Sequence, residues 1–450
     1  MSTDHRHAAN HLARLLQSEA PDAVADRLRP RADPLPPGIP GGARISTDAV
    51  DRRWQLLPSA QASRPLLLDP QTDEQKDCYR HNIENFIGTV KVPVGLAGPL
   101  RVNGLFARGD YYVPLATTEA ALVASYSRGA QLLSEAGGCT SVLLNEGISR
   151  APGFAFHDIQ ECGRFVLWAT SQLDAFRRRA ESTTRHGRLN DLRITLEGNH
   201  VYLVFEYTTG DASGQNMVTL ATQAVCDYIL ENSPVKPRYH FVEANLSGDK
   251  KACAQSFLLV RGKKVCAEAF LPAELVKKRL HATPEMMLDY WTMSAMGGVL
   301  SGTLGVQGHF ANGLSSLYLA CGQDVACVSE SAVGVTRFEI TAANELYATV
   351  TLPNVMVGTV GGGSGLPSQK ACLDILGLAG SGRAAALAEI AAALCLAGEL
   401  SIIGALSSGD FSRAHRLLAR GKSSPTRTVA VDDSAPDVAA PTTRESPDHD

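Results

Sequence analysis

The run from Ala384 to Ser408 is long and apolar enough to cross a bilayer as a helix, yet Glu389 and Glu399 sit well inside it. A carboxylate deep in a lipid-facing helix costs about 3 kcal/mol, and two of them argue against a spanning segment. The run therefore reads as a helix buried within protein, whose two carboxylates are either satisfied by partners or put to use. Only a sizeable core can enclose such a helix, and a chain of 450 residues has the length for two or three domains.

The ends contribute little to that core. Residues up to about Gly42 mix Arg, Asp, Ala and Pro, and the cluster Pro34 to Gly42 cannot hold a helix or a central strand. We expect an arm and linker over 1–45. Ser423 to Asp450 is rich in Pro, Ser, Thr and Asp, cannot bury enough surface to offset its ordering entropy, and is expected to be a disordered tail. The net charge of −4 and the absence of a Lys/Arg block give no sign of a nucleic-acid partner. The ten cysteines are scattered without a Cys-x-x-Cys pair, so neither a metal site nor a disulfide framework is expected. With a polar start, Met1 to His7, and no apolar run of signal length after it, the chain reads as cytoplasmic and not membrane-bound.

Between the ends, the stretch Glu243-Ala244-Asn245-Leu246-Ser247-Gly248-Asp249-Lys250-Lys251 carries the most chemistry. It separates Tyr239–Val242 from a strand-like run, Ser256–Val260. Adjacent ammonium groups repel, and a carboxylate such as Asp249 offsets the repulsion, an arrangement that suits a lysine facing a developing oxyanion. A plain polar turn has the same composition. Upstream, Glu84 to Leu100 reads as short strand and loop. Tyr111 to Glu119 reads as a strand ending in a helix start, with Thr118 as cap, Glu119 in the first turn and helix over Ala120 to Glu135. A glutamate there can serve the helix dipole alone.

From Phe154 to Phe241 a helix candidate (Glu161–Ser182) and two strands (Arg193–Leu196, His200–Tyr207) suggest an inserted α/β domain. It includes Thr208 to Met217, a small-residue loop before a helix, where exposed amides can receive a phosphate. Met293 to Asp324 is dense in small residues and reads as a core helix, with Asp324 a cap or a functional group. Val357 to Gly365, before a helix at Ser368–Leu376, lacks the dinucleotide spacing but permits close backbone contact with a ligand.

Taken in order, six of these stretches resemble the 3-hydroxy-3-methylglutaryl-coenzyme A reductase family: Glu84–Gly88 with Pro93–Leu100, Thr117–Ser125, Gly210–Met217, Asn245–Lys251, His309–Asp324 and Val357–Gly363. The likeness runs from roughly Thr72 to Arg420, and the Thr117-Thr118-Glu119 and Gly210-Asp211-Ala212-x-Gly214 forms are similar to the larger, class I branch. It implies an α/β (α+β) fold: a large substrate domain with a central long helix, in two parts (46–152 and 242–405), and an inserted ferredoxin-like cofactor domain (153–241). A C-terminal catalytic lid over 406–422 and a homodimer or higher oligomer are implied as well. The implied reaction is NADPH-dependent reduction of hydroxymethylglutaryl-coenzyme A to mevalonate and free coenzyme A.

By the same resemblance, Glu119 is the proton donor and Lys250 stabilises the carbonyl oxygen. Asp324 tunes both, and His415 protonates the departing thiolate. NADPH falls to Thr184, Arg185, Asp211, Gly214, Gln215, Asn216, Met217, Gly358, Thr359, Val360 and Gly361, and substrate to Glu84, Asn85, Asn245, Lys251 and Asn312. Members of the family place an arginine after an Arg-x-Pro turn and a serine two residues before the asparagine of the lysine stretch, both touching the substrate's carboxylate. Here Phe154-Ala155-Phe156 follows Arg150-Ala151-Pro152, and Glu243 stands at the serine position. We expect Arg150 or another cation to compensate, since Glu243 would repel that carboxylate unless it pairs with Lys251 or is protonated. A reductase of another acyl-coenzyme A and a non-catalytic acyl-coenzyme A binder are the alternatives.

Overall fold

The computed structural model describes residues 4–16, 20–31 and 33–410. His415, most of the lid segment and the C-terminal tail lie outside the described residues. The chain divides into two compact units, 1–90 and 91–450, a division that falls within the first part of the large domain as read from sequence.

In the first unit, helices α1 (His5–Leu15) and α2 (Pro21–Leu28) stand in the expected arm, and α2 buries no residue. Helices α3 (Thr47–Gln55), α4 (Arg64–Leu67) and α5 (Pro70–Glu74) follow the proline cluster. Ser46 caps α3 by accepting from Ala49 N, and α3 then packs Val50 and Trp54 against Ile45, Leu68 and Phe86. Arg53 is buried beside them and donates to the carbonyls of Pro40, Gly42, Arg44 and Phe86 at 2.7–3.0 Å. A guanidinium can do this because its five donors point along a fixed fork.

The second unit is built on one eleven-stranded sheet. Its strands are β1 (Val94–Gly104), β2 (Arg108–Ala116), β3 (Cys139–Arg150), β4 (Gly153–Ala155), β5 (Arg188–Glu197), β6 (His200–Thr208), β7 (Tyr239–Phe241), β8 (Gly262–Pro272), β9 (Gly305–Val306), β10 (Gly334–Ile340) and β11 (Glu345–Val355). The helices are α6 (Leu122–Glu135), α7 (Ile159–Thr170), α8 (Leu173–Glu181), α9 (Gln215–Asn232), α10 (Gln255–Leu258), α11 (Ala273–Leu280), α12 (Pro284–Ser301), α13 (Phe310–Ala320), α14 (Val328–Ser331), α15 (Pro367–Ile375) and α16 (Ala384–Ser408). The main path runs β7-β4-β6-β3-β8-β11-β10-β9, with β2–β1 joined to β3 and β5 to β6. Only β1–β3 and β9–β10 are parallel, so the sheet is mixed and mostly antiparallel.

The core sits between this sheet and α16. On β8, Val265, Ala267, Ala269 and Leu271 are buried at the period of two that a strand requires. Among the described helices, α16 alone is long and apolar enough to cross a membrane, and 83% of its apolar window is buried inside the protein. Both of its glutamates are fully buried and satisfied. Glu389 accepts from the amides of Leu105, Phe106, Ala107 and Leu143 at 2.8–3.3 Å. Glu399 accepts from Gly308 N, His309 N and Thr336 Oγ1 at 2.7–2.8 Å. Where α6 crosses α16, a Cβ at Gly129 would lie 1.8 Å from the Ala397 carbonyl, so the contact requires glycine.

Several local expectations are corrected. Met293–Asp324 is not one core helix: α12 stops at Gly302 (φ 74), β9 intervenes, and α13 starts anew. The break follows from Gly305, whose Cβ would fall 2.1 Å from the Gly334 carbonyl it packs against. Ser256–Val260 contains the short helix α10 rather than a strand, pinned where Asn354 Nδ2 donates to Ser256 O at 2.8 Å. The helix over Glu161–Ser182 is two, α7 and α8, broken at Ser171–Gln172. Thr118 does not cap α6: the helix begins at Leu122 after a left-handed Ala121, and Glu119 precedes it, its N–H held by Thr117 Oγ1 at 3.0 Å.

Candidate active site

The loop after β7 turns on two left-handed residues, Asn245 (φ 67) and Lys250 (φ 55). Lys250 Nζ lies 2.9 Å from Asp324 Oδ2, and both side chains are about two-fifths exposed, at 43% and 41%. The hydrogen bond that the Lys250 ammonium donates to Asp324 raises its pKa above the ordinary value against the opposing effect of burial, so the group stays charged. Asp324 is fixed in turn by accepting from Ala326 N at 3.1 Å.

Beneath the loop lies a set of buried charges. Burial pushes Asp249 up, but the neighbouring Arg261 and Arg150 outweigh it and hold the carboxyl below its usual value. Arg150 Nη1 is 3.2 Å from Asp249 Oδ2 and 3.4 Å from Glu243 Oε2, and Nη2 donates to Gln215 O at 3.4 Å. Glu243 also accepts from Asn245 N at 2.7 Å and Ala151 N at 3.2 Å. Glu243 thus pairs with Arg150, not with Lys251, and the buried Arg150 is committed inward rather than offered to a substrate. Lys251 Nζ donates to Asp249 O at 2.8 Å and stays exposed.

The loop between β6 and α9 and the turn after β11 form one hydrogen-bonded block. Asp211 accepts from Gly382 N at 2.7 Å and Ala384 N at 3.2 Å, while its carbonyl receives Thr359 N at 2.9 Å. Its carboxylate anchors the loop instead of facing outward. Gly358 N donates to Gln323 Oε1 at 2.7 Å, tying the turn to the neighbour of Asp324. Gly358 must be glycine, since a Cβ would lie 2.7 Å from Ser213 N. Val360 is half-buried and Gly361 faces open space. Helix α9 starts after a left-handed Gly214 with no side-chain cap, leaving the amides of Gln215, Asn216 and Met217 without a side-chain acceptor. Gln215 Nε2 meets Cys327 Sγ at 2.8 Å, and Thr184 Oγ1 meets Met217 Sδ at 3.1 Å, so the Thr184–Arg185 turn, with Arg185 exposed, joins the start of α9.

A cavity of about 580 Å³ opens between α6, α13 and α16, lined by Glu119, Ser125, Arg128, His309, Asn312 and Ile402 among others. The volume suits a small-molecule site, typically about 300–1,000 Å³. Arg128 donates to Ser401 Oγ and O at 2.8–3.1 Å, and the His309 ring stacks on Tyr126 with centroids 5.0 Å apart. Neither Lys250 nor Asp324 lines this cavity.

The family model for hydroxymethylglutaryl-coenzyme A reductase matches residues 49–420. The chain belongs to the hydroxymethylglutaryl-coenzyme A reductase family. It is 43% identical over 346 residues to the reductase of Pyrococcus horikoshii, covering 75% of this chain and 84% of the relative. With the reductase of Haloferax volcanii it shares 42% over 404 residues, 88% of this chain and 99% of that one. A class II reductase from Streptococcus pneumoniae, solved bound to NADPH in open conformations, has the same fold at a TM-score of 0.60 and 22% identity, over 80% of this chain and all of that one. The protein is thus an oxidoreductase of the hydroxymethylglutaryl-coenzyme A reductase family.

In this reductase, Lys250, Asp324 and the two loops expected to hold the cofactor are brought together, whereas Glu119 and Asn312 line a cavity that Lys250 and Asp324 do not. Glu84 and Asn85 belong to the first unit, where Asn85 is left-handed (φ 52) and its N–H donates to Gly42 O at 3.0 Å. Sequence reasoning missed Arg261, Glu330, Gln323 and Arg128. The available signal was Glu330 within Val328–Val333, a charge that an otherwise small and apolar stretch cannot bury alone.

Proposed function

We propose that this chain reduces hydroxymethylglutaryl-coenzyme A to mevalonate and free coenzyme A with NADPH, using Lys250 to oppose charge on the reacting oxygen. The observation that carries the reading is the exposed Lys250–Asp324 pair, joined through Gln323 to the loops of the proposed cofactor site. Reducing a thioester to an alcohol places negative charge on oxygen at each of two hydride deliveries and expels a thiolate between them. An ammonium held protonated by Asp324 suits the first task. Glu119 is our candidate proton donor and His415 our candidate donor to the thiolate, carried on the lid after Gly409.

The residues present fit NADPH. The uncapped start of α9 supplies amides for a phosphate, Gly361 leaves bare backbone with open space before it, and Arg185 has the donor geometry for a 2′-phosphate. NADPH, when bound, supplies the hydride. Thr184, Arg185, Gly214 to Met217, Gly358, Val360 and Gly361 would hold it, with Asp211 and Thr359 bracing them from behind. Asn245, Lys251 and Asn312 remain our substrate contacts, with Lys251 the exposed cation for the acyl carboxylate, and Glu84 and Asn85 are proposed for coenzyme A.

We read the segment 153–241 as a ferredoxin-like cofactor domain. The strand order β7-β4-β6-β5 supports this: two interleaved βαβ halves set every neighbouring pair antiparallel, as β4–β7, β4–β6 and β5–β6 are. The Thr117-Thr118-Glu119 form supports the larger branch, and ten free cysteines support a reducing, cytoplasmic setting. Glu119 lines a cavity that Lys250 does not, and α12 exposes Met293, Met296, Val299 and Leu300. Both observations support a homodimer in which two copies complete one site.

Lys250→Ala tests the reading. Losing a group that opposes transition-state charge costs about 10²–10³ in rate, so kcat should fall by that factor while NADPH affinity, measured by fluorescence titration, stays near wild type. Near-wild-type turnover in the folded variant would remove Lys250 from the mechanism.

A further inference from the structure

Lys250 performs its role only if its backbone is held, and a left-handed conformation is strained for a residue with a side chain. Two carboxylates flank that backbone. Asp249 precedes Lys250 in the chain, and the Glu330 carboxylate faces the Lys250 N–H. One buried side chain joins the two. Arg261 reaches Asp249 Oδ1 through Nη2 and Glu330 Oε1 through Nε at 3.4 Å, and donates to Ser149 O through Nη1 at 2.9 Å. Its own N–H donates to Asn354 Oδ1 at 2.7 Å, which fixes it to the end of β11. Arg261 is 3% exposed and Glu330 1%, so no solvent takes the place of these contacts.

Around the loop, four carboxylates (Glu243, Asp249, Asp324, Glu330) face three cations (Arg150, Lys250, Arg261), Lys251 donates to the Asp249 carbonyl, and the Cys327 thiol also faces Lys250. Arg261 is the member that links both sides of Lys250. A lysine there would keep the charge, but a single ammonium on a flexible stem cannot serve acceptors in three fixed directions as the guanidinium fork does.

We propose that Arg261 is a positioning residue for the reaction: by bridging Asp249 and Glu330 it fixes the Lys250 backbone so that the ammonium meets Asp324 and the reacting oxygen. The inference rests on the role of Lys250 proposed above.

Arg261→Lys in the full chain, measured beside Lys250→Ala, tests it. A misplacement on the scale of 1 Å costs about 10²-fold in rate, so kcat should fall toward that extent while KM for NADPH changes by less than about threefold. The basic limb of kcat should also move to lower pH, because a displaced Lys250 loses the hydrogen bond to Asp324 that keeps it protonated. Net charge is unchanged in this variant, so the movement reads geometry. If Arg261→Lys fails to fold, Glu330→Gln, close in shape, carries the same measurements with the same expected directions. A fall in kcat with an unmoved basic limb would assign Arg261 a merely structural role and overturn the proposal. Unchanged kcat in Arg261→Lys, with Lys250→Ala inactive, would overturn it while sparing Lys250. An active Lys250→Ala would instead overturn the reading on which it rests.

Discussion

Lys250 and Asp324 stand far apart in the chain yet meet at 2.9 Å, and each is informative only with the other. Asp324→Asn replaces the charged acceptor that raises Lys250 above its ordinary value with a neutral amide oxygen. In the proposed role the protonated lysine is the active form, so the sign follows: the pKa falls, and the basic limb of kcat moves to lower pH in a pH–rate profile. A limb that stays in place would detach Asp324 from Lys250 in turnover. The Lys250 stretch and the two glycine-containing loops were legible only by their order along the chain, since their composition alone fits plain turns. The partners Arg261, Arg150 and Glu330 were not, because an isolated arginine in a sequence does not reveal which carboxylate it will face across a sheet. Glu243 illustrates the difference: the sequence offers Lys251 nearby, and the structure supplies Arg150 from β3.

Among the elements, α16 was the most legible, since its length, apolarity and two glutamates admit few environments. The structure resolves the choice left open between satisfied and functional carboxylates: both bind backbone amides, and Glu389 thereby fixes the β1–β2 hairpin to β3. Replacing it by Gln puts an NH₂ group against amide donors. Glu389→Gln should lose about 2–3 kcal/mol of stability in denaturant titration, with kcat per folded molecule little changed. A loss under about 0.5 kcal/mol, the scale of ordinary surface changes, would deny the carboxylate its latching role. The helix breaks at Gly302 and Gly305 were hidden because small residues are compatible with a continuous core helix until a neighbouring backbone, here Gly334, is known to press against them. The Glu119 turn was misread for a related reason. Thr117, not Thr118, makes the local bond, and the helix waits until Leu122.

For the whole molecule, the order of motifs along the chain indicated the family and a mixed α/β fold. What the order of motifs does not contain is whether a second copy brings Lys250 and Asp324 to the cavity lined by Glu119. If two copies complete one site, charges placed on the exposed apolar face of α12 should separate them. Met296→Lys with Leu300→Lys should yield monomers in analytical ultracentrifugation and lose most activity, whereas a wild-type protein that is already monomeric and active would refute the shared site. The most direct test of the account is the stoichiometry of the reaction. The purified wild-type chain is given limiting hydroxymethylglutaryl-coenzyme A with excess NADPH, and cofactor oxidation, free thiol and mevalonate are followed together. Two hydride deliveries and one expelled thiolate require two NADPH oxidised and one thiol released for each mevalonate formed. No oxidation with this thioester by the folded protein, alongside turnover of an uncharged acyl-coenzyme A, would contradict the account.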